Sequence, residues 1–169
     1  VIFDSEKKVV ECWQVLADKY GFTGIEQACR ACLGTTKEKS KEIMLQRYGE
    51  DFPYETYSAE ASKLFHERYD GGRLPKKTGI EKILQALSQK GKKIALASST
   101  RRQTVESQLR EAGLIGYFDK IICGDMVEKS KPEPDIYIRA CKELGVLPEQ
   151  AYAIEDSYNG IRSAYRAGM

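Results

Sequence analysis

Apolar positions recur every three to four residues through the first seventy residues, then give way to short continuous runs separated by helical stretches. Val9, Val10, Trp13, Leu16, Ala17 and Tyr20 share one helical face, which Asp4 or Ser5 can cap and Gly21 ends. A second helix is expected from about Ile25 to Leu33, broken by Gly34-Thr35-Thr36, and a third from near Lys37 to Gly49, carrying Ile43, Met44 and Tyr48. Asp51-Phe52-Pro53 turns the chain into a fourth helix over Tyr57 to Tyr69. Residues 5 to 70 thus read as one α-helical lobe without strands.

Asp70-Gly71-Gly72-Arg73-Leu74-Pro75 is the sharpest break in composition, suited to a hinge. Behind it the period changes. Thr78 is the expected cap of a helix closed at Gly91, and Lys93 to Ala97 reads as a buried strand. Arg101 to Ala112 is a helix, Lys120 to Gly124 a second strand, Asp135 to Leu144 a helix, and Ala151 to Ile154 a third strand. Strands alternating with helices predict an α/β fold: a parallel sheet with helices on both faces, connected right-handed.

With 169 residues, 41% of them hydrophobic, the chain is large enough for one core plus a smaller lobe. Charged residues make up 31% but nearly cancel at +2, so no uniform field suggests a nucleic acid or an anionic membrane as partner. No apolar run approaches the length of a membrane span or a signal-peptide core. Five cysteines without framework spacing suit a reducing compartment, and a cytoplasmic monomer is expected. Cys29-Arg-Ala-Cys32 spells a redox or metal pair, but inside a helical pattern two buried small side chains are the better reading. The lone histidine, His66, reads as a helix-surface residue.

In a parallel sheet, residues that follow successive strands become neighbours. Here these are Ser98-Ser99-Thr100, the segment from Gly124 to Pro132 with Lys131, and Glu155-Asp156. Two hydroxyls and free amides at a helix start make a phosphate cradle, a lysine neutralises an anion, and paired carboxylates suit Mg²⁺; these are the parts needed for phosphoryl transfer. Each also has a plainer role. Ser98 to Thr100 and Asp156-Ser157 can cap helices, and Lys131 can be a solvated lysine.

Ala95-Leu96-Ala97-Ser98-Ser99-Thr100, Ser130-Lys131-Pro132-Glu133-Pro134-Asp135 and Glu155-Asp156-Ser157-Tyr158-Asn159-Gly160-Ile161 resemble motifs two, three and four of the haloacid-dehalogenase-like hydrolases. The resemblance is greatest to the helical-cap subgroup that includes β-phosphoglucomutase and sugar-phosphate phosphatases. It implies an inserted α-helical cap domain at residues 5–74 and a Rossmann-like core at 1–4 and 75–169. It also implies that Ser98 and the Ser99 amide bind the phosphoryl group beside Thr100, that Lys131 neutralises it, and that Glu155 and Asp156 hold Mg²⁺. Thr36 and Lys37 align with the cap loop that inspects the substrate. The implied activity is a Mg²⁺-dependent phosphatase of a small phosphorylated metabolite, acting through an aspartyl-phosphate.

Three departures accompany the resemblance. The first motif, D-x-D-G, is absent; the nucleophile is expected immediately before Val1, or, on a second alignment, at Asp4 in a short strand Val1-Ile2-Phe3-Asp4. The other end stops at Gly168-Met169, where the family continues into another strand, so the core reads as cut at both ends. Val9 stands where the mutase branch has a histidine and Lys37 where it has an arginine, which favours a phosphatase over a phosphohexomutase. A phosphate-binding module without catalysis is the reading from another class.

Overall fold

The computed structural model describes residues 1–32 and 37–169. The chain divides into a helical unit, Phe3–Pro75, and an α/β unit comprising Val1–Ile2 and Lys76–Met169.

The helical unit contains α1 (Ser5–Tyr20), α2 (Ile25–Cys32), α3 (Lys37–Tyr48) and α4 (Tyr54–Tyr69). Amphipathic spacing brings Trp13, Leu16 and Ala17 of α1 onto Ile25, Ala28 and Cys29 of α2, Met44 of α3 and Tyr54 of α4, all buried. Gly21, in the left-handed conformation, ends α1 as its sequence position suggests. Around this core Phe22 packs edge-on against Tyr48 and Phe52 at 5.3 Å each. The ends of the unit meet where Asp4 N donates to Pro75 O at 2.9 Å. Leu33 and the Gly34-Thr35-Thr36 break lie outside the described residues.

The α/β unit runs α5 (Ile80–Gln89), β1 (Ala95–Ser98), α6 (Arg102–Glu111), β2 (Lys120–Cys123), α7 (Asp135–Leu144) and α8 (Tyr158–Arg166). The strands pair in parallel, with Ala95 opposite Lys120 and Ser98 opposite Cys123. α7 packs across both strands, α6 against β2 and α8 against α7. Ile122, Ile136, Tyr137, Ala140 and Ala164 form the core. This is the expected α/β class, with a sheet of two strands among the described residues.

Ala151 to Ile154 is not the third strand. The run is extended at Ala151 (φ −115°, ψ 154°), but no strand among the described residues forms a ladder with it. Tyr152 and Ile154 are 97% and 65% exposed. An apolar run becomes a strand only when a neighbour takes its backbone hydrogen bonds. Val1 to Asp4 likewise stays out of the sheet, with a single isolated bridge at Phe3. Two expected caps also differ: α5 is capped at Gly79 rather than Thr78, and Asp4 at the head of α1 gives no side-chain capping bond. No helix among the described residues is long and apolar enough to cross a membrane.

Leu16 is 1% exposed in the middle of the helical core. Leu16→Ala is therefore expected to destabilise the protein by about 3 kcal/mol, the usual cost of lost burial plus a cavity, measured by chemical denaturation.

Candidate active site

Because β1 and β2 end side by side, the loops that follow them are joined. Gly124 N donates to Thr100 O at 3.1 Å, and the Gly124 Cα lies so near the Ser99 carbonyl that a Cβ there would overlap it. Only glycine permits that approach. Ser98 Oγ accepts from Thr100 N at 3.2 Å, closing a tight turn, while Ser99 and Thr100 are exposed. The head of α6 is satisfied from elsewhere: Asp125 Oδ1, just past β2, accepts from Arg102 N at 3.0 Å. Of the two readings of the hydroxyl run, helix capping is thus taken over by Asp125.

Lys131 is no solvated lysine. Its side chain is 10% exposed, and Nζ donates to Ala97 O at 3.0 Å and to Glu155 Oε1. The ammonium lies 5.0 Å from the centroid of the Tyr137 ring and 3.4 Å from its hydroxyl. The loop carrying it is pinned from α8. Ser163, fully buried, donates to Glu133 O at 2.6 Å, and Arg166 Nη1 donates to Pro132 O at 3.2 Å and pairs with Glu133 at 2.7 Å. The Lys131–Pro132 peptide is cis.

Glu155, 9% exposed, accepts from Lys131 and, at 2.5 Å, from the Tyr137 hydroxyl on the same oxygen; its other oxygen lies 3.4 Å from Ser157 Oγ. Burial pushes its carboxyl up, but the hydrogen bonds from Lys131 and Tyr137 outweigh burial and leave it below the ordinary range. Burial, reinforced by the adjacent carboxylate, drives the Tyr137 phenol well above its usual range. A buried pair like this costs about 3–5 kcal/mol to break from one side, because the remaining charge is stranded.

Ser157 takes the capping role at the head of α8, where its Oγ accepts from Gly160 N at 3.0 Å. The Gly160 Cα faces the Glu155 carboxylate closely enough that a Cβ would collide with it. Asp156 is 46% exposed, with Oδ2 2.8 Å from the Val1 nitrogen. As a donor set for a hard cation the two acids differ. Asp156 projects an accessible carboxylate, which fits; Glu155 has one oxygen engaged by two donors and the other by a hydroxyl. Among the described residues no group of three or more acidic, cysteine or histidine side chains gathers around a point.

Thr36 lies outside the described residues, and Lys37 opens α3 in the helical unit, where Nζ is 3.4 Å from Glu55. That unit has its own half-open cavity of about 290 Å³, walled by Trp13, Met44 and Tyr54 with Ser40, Ser58 and Glu6 as polar groups. All five cysteines are free, and burial pushes Cys29 up to about 12.

Three participants lie outside the quoted motifs: Tyr137, Ser163 and Asp125, the last within the Gly124 to Pro132 segment already singled out. For Tyr137 a signal exists, since a tyrosine on the buried face of an expected helix needs a partner for its hydroxyl. Asp125 and Ser163 act across long sequence separations that no local pattern reports.

The model of the haloacid dehalogenase-like hydrolases matches residues 1–169. The phosphorylated carbohydrates phosphatase of Thermotoga maritima is 29% identical over 174 residues, covering all of this chain and 78% of the relative. The crystal structure of CbbY from Rhodobacter sphaeroides in complex with phosphate superposes with a TM-score of 0.74 at 30% identity, covering all of this chain and 79% of that one. A HAD-family hydrolase of Deinococcus radiodurans R1, with bound phosphate and sodium, reaches a TM-score of 0.81 at 26% identity over 99% of this chain and 73% of its own.

The position of Glu155 sets a sign for acid unfolding. A carboxyl held below its ordinary value of 4.5 adds stability above that value and loses it as pH falls through the folded-state value. Denaturant titrations across acidic pH are expected to show a flatter decline below 4.5 in Glu155→Gln than in the wild type.

Proposed function

Since the chain belongs to the haloacid dehalogenase-like hydrolases, we propose that it is a magnesium-dependent phosphatase of a small phosphorylated metabolite, in the first place a sugar phosphate. The observation that carries this reading is the buried Lys131 ammonium, held between the Ala97 carbonyl and Glu155 beside the Ser98 turn. A fixed, poorly hydrated cation next to the exposed Ser99 and Thr100 is an environment in which charge on a transferring phosphoryl group is stabilised strongly. The name of the Thermotoga relative, a phosphatase of phosphorylated carbohydrates, supports the substrate class.

In this reading Ser98 Oγ and the Ser99 amide hold the phosphoryl oxygens next to Thr100, and Lys131 neutralises their charge. Asp156 holds Mg²⁺, which when bound supplies further positive charge at the phosphate, and Glu155 keeps Lys131 in place. A carboxylate attacks phosphorus as the bond to the leaving oxygen breaks, and water then cleaves the resulting aspartyl-phosphate. The helical unit serves as the cap, with Thr36 and Lys37 reading an anionic group of the substrate. Val9, which carries no transferable proton, supports release to water over transfer to a second sugar hydroxyl.

With a panel of sugar phosphates, Lys131→Ala and Asp156→Asn are each expected to lower turnover by about a hundredfold or more, Asp156→Asn with an unchanged circular dichroism spectrum and Lys131→Ala with a folded spectrum but a stability lower by about 3–5 kcal/mol. EDTA is expected to abolish activity, and added Mg²⁺ to restore it. Turnover untouched by either substitution would remove the site assignment. Stabilisation by phosphate without turnover of any substrate would instead mark a binding module.

A further inference from the structure

Lys131 has three N–H donors, and its surroundings compete for them. One goes to Ala97 O, one to Glu155 Oε1 and the third, at a long 3.4 Å, to the Tyr137 hydroxyl. An anion at the sheet edge needs the ammonium to keep some of its field and a donor turned outward. A bare buried glutamate beside it works against this, because a desolvated carboxylate draws the ammonium onto itself.

Tyr137 sits where it can moderate that pull. The residue is 6% exposed, and its hydroxyl donates to the same Glu155 oxygen that Lys131 uses, at 2.5 Å. Its hydroxyl oxygen lies 3.4 Å from the ammonium, and its ring face stands 5.0 Å from it. A hydrogen bond from a phenol partly satisfies the carboxylate, while the ring face and the long contact to the hydroxyl oxygen hold the third ammonium donor only weakly, so that an anion can replace that contact. The ring also belongs to the core cluster with Ile122 and Ile136, so its orientation is locked by packing.

From this geometry we infer that Tyr137 is a positioning residue for Lys131: its hydroxyl shares the Glu155 oxygen and keeps the lysine ammonium available to a phosphate-like anion at the strand ends. The inference rests on the reading of Lys131 as the phosphoryl-neutralising cation. It assigns the tyrosine no proton transfer and no contact with substrate.

The test uses inorganic phosphate in magnesium-containing buffer, followed by calorimetry, together with the side-chain ammonium resonance of Lys131 in ¹⁵N-labelled protein. Tyr137→Phe keeps the ring and the packing and removes only the hydroxyl. It is expected to weaken phosphate binding about tenfold, as loss of an outer partner does at comparable sites, and to shift the Lys131 resonance, with an unchanged circular dichroism spectrum. In turnover the loss should fall on kcat more than on KM. Phosphate affinity and Lys131 resonance both equal to wild type in Tyr137→Phe would overturn the inference alone. Wild-type protein that binds no phosphate would overturn the reading of the site and the inference with it. If Tyr137→Phe unfolds, Tyr137→Leu, which also removes the hydroxyl and adds neither volume nor a donor, gives the same comparison.

Discussion

A charged pair taken out of water is the constraint around which the end of the sheet is arranged. Lys131 and Glu155 come from segments 24 residues apart in sequence, and neither tolerates burial without the other. Their meeting requires β1 to offer the Ala97 carbonyl, α7 to offer Tyr137, and α8 to hold the Lys131 loop through Ser163 and Arg166. The apolar core of Ile122, Ile136 and Ala164 sets the distances at which those contributions converge. Core packing and site chemistry are therefore one arrangement seen from two sides.

Two glycines mark how tightly that arrangement is drawn. At Gly124 the loop after β2 passes against the Ser99 carbonyl, and at Gly160 the first turn of α8 passes against the Glu155 carboxylate. In both places the absence of a Cβ lets a backbone segment close on the group that the site uses. Neither glycine contributes a functional atom, yet each limits where the functional atoms can lie.

Much of this was legible in the sequence. Periodicity separated the helical stretch from the α/β stretch because amphipathic helices and buried strands leave different spacings, as at Trp13, Leu16 and Ala17 against Lys120 to Cys123. Ser98, Lys131, Glu155 and Asp156 stood out because each follows an apolar run at what was read as a strand end. The third strand misled because Ala151 to Ile154 has the composition of a strand, while strand formation depends on a neighbour that composition does not reveal. The division of labour between the two acids was also invisible. Glu155 and Asp156 are adjacent in sequence, yet one faces Lys131 in the interior and the other is half exposed, and only the tertiary packing of the Lys131 loop decides which.

The seclusion of Lys131 also separates it chemically from the other lysines of the chain. Acylating and alkylating reagents attack an accessible amine that has given up its proton. Most lysines here extend into solvent, as Lys63 does at 78% exposure, whereas the Lys131 nitrogen is enclosed by a carbonyl, a carboxylate and an aromatic face. The protein thus carries an internal contrast in amine accessibility: broad labelling of its surface amines leaves Lys131 for last.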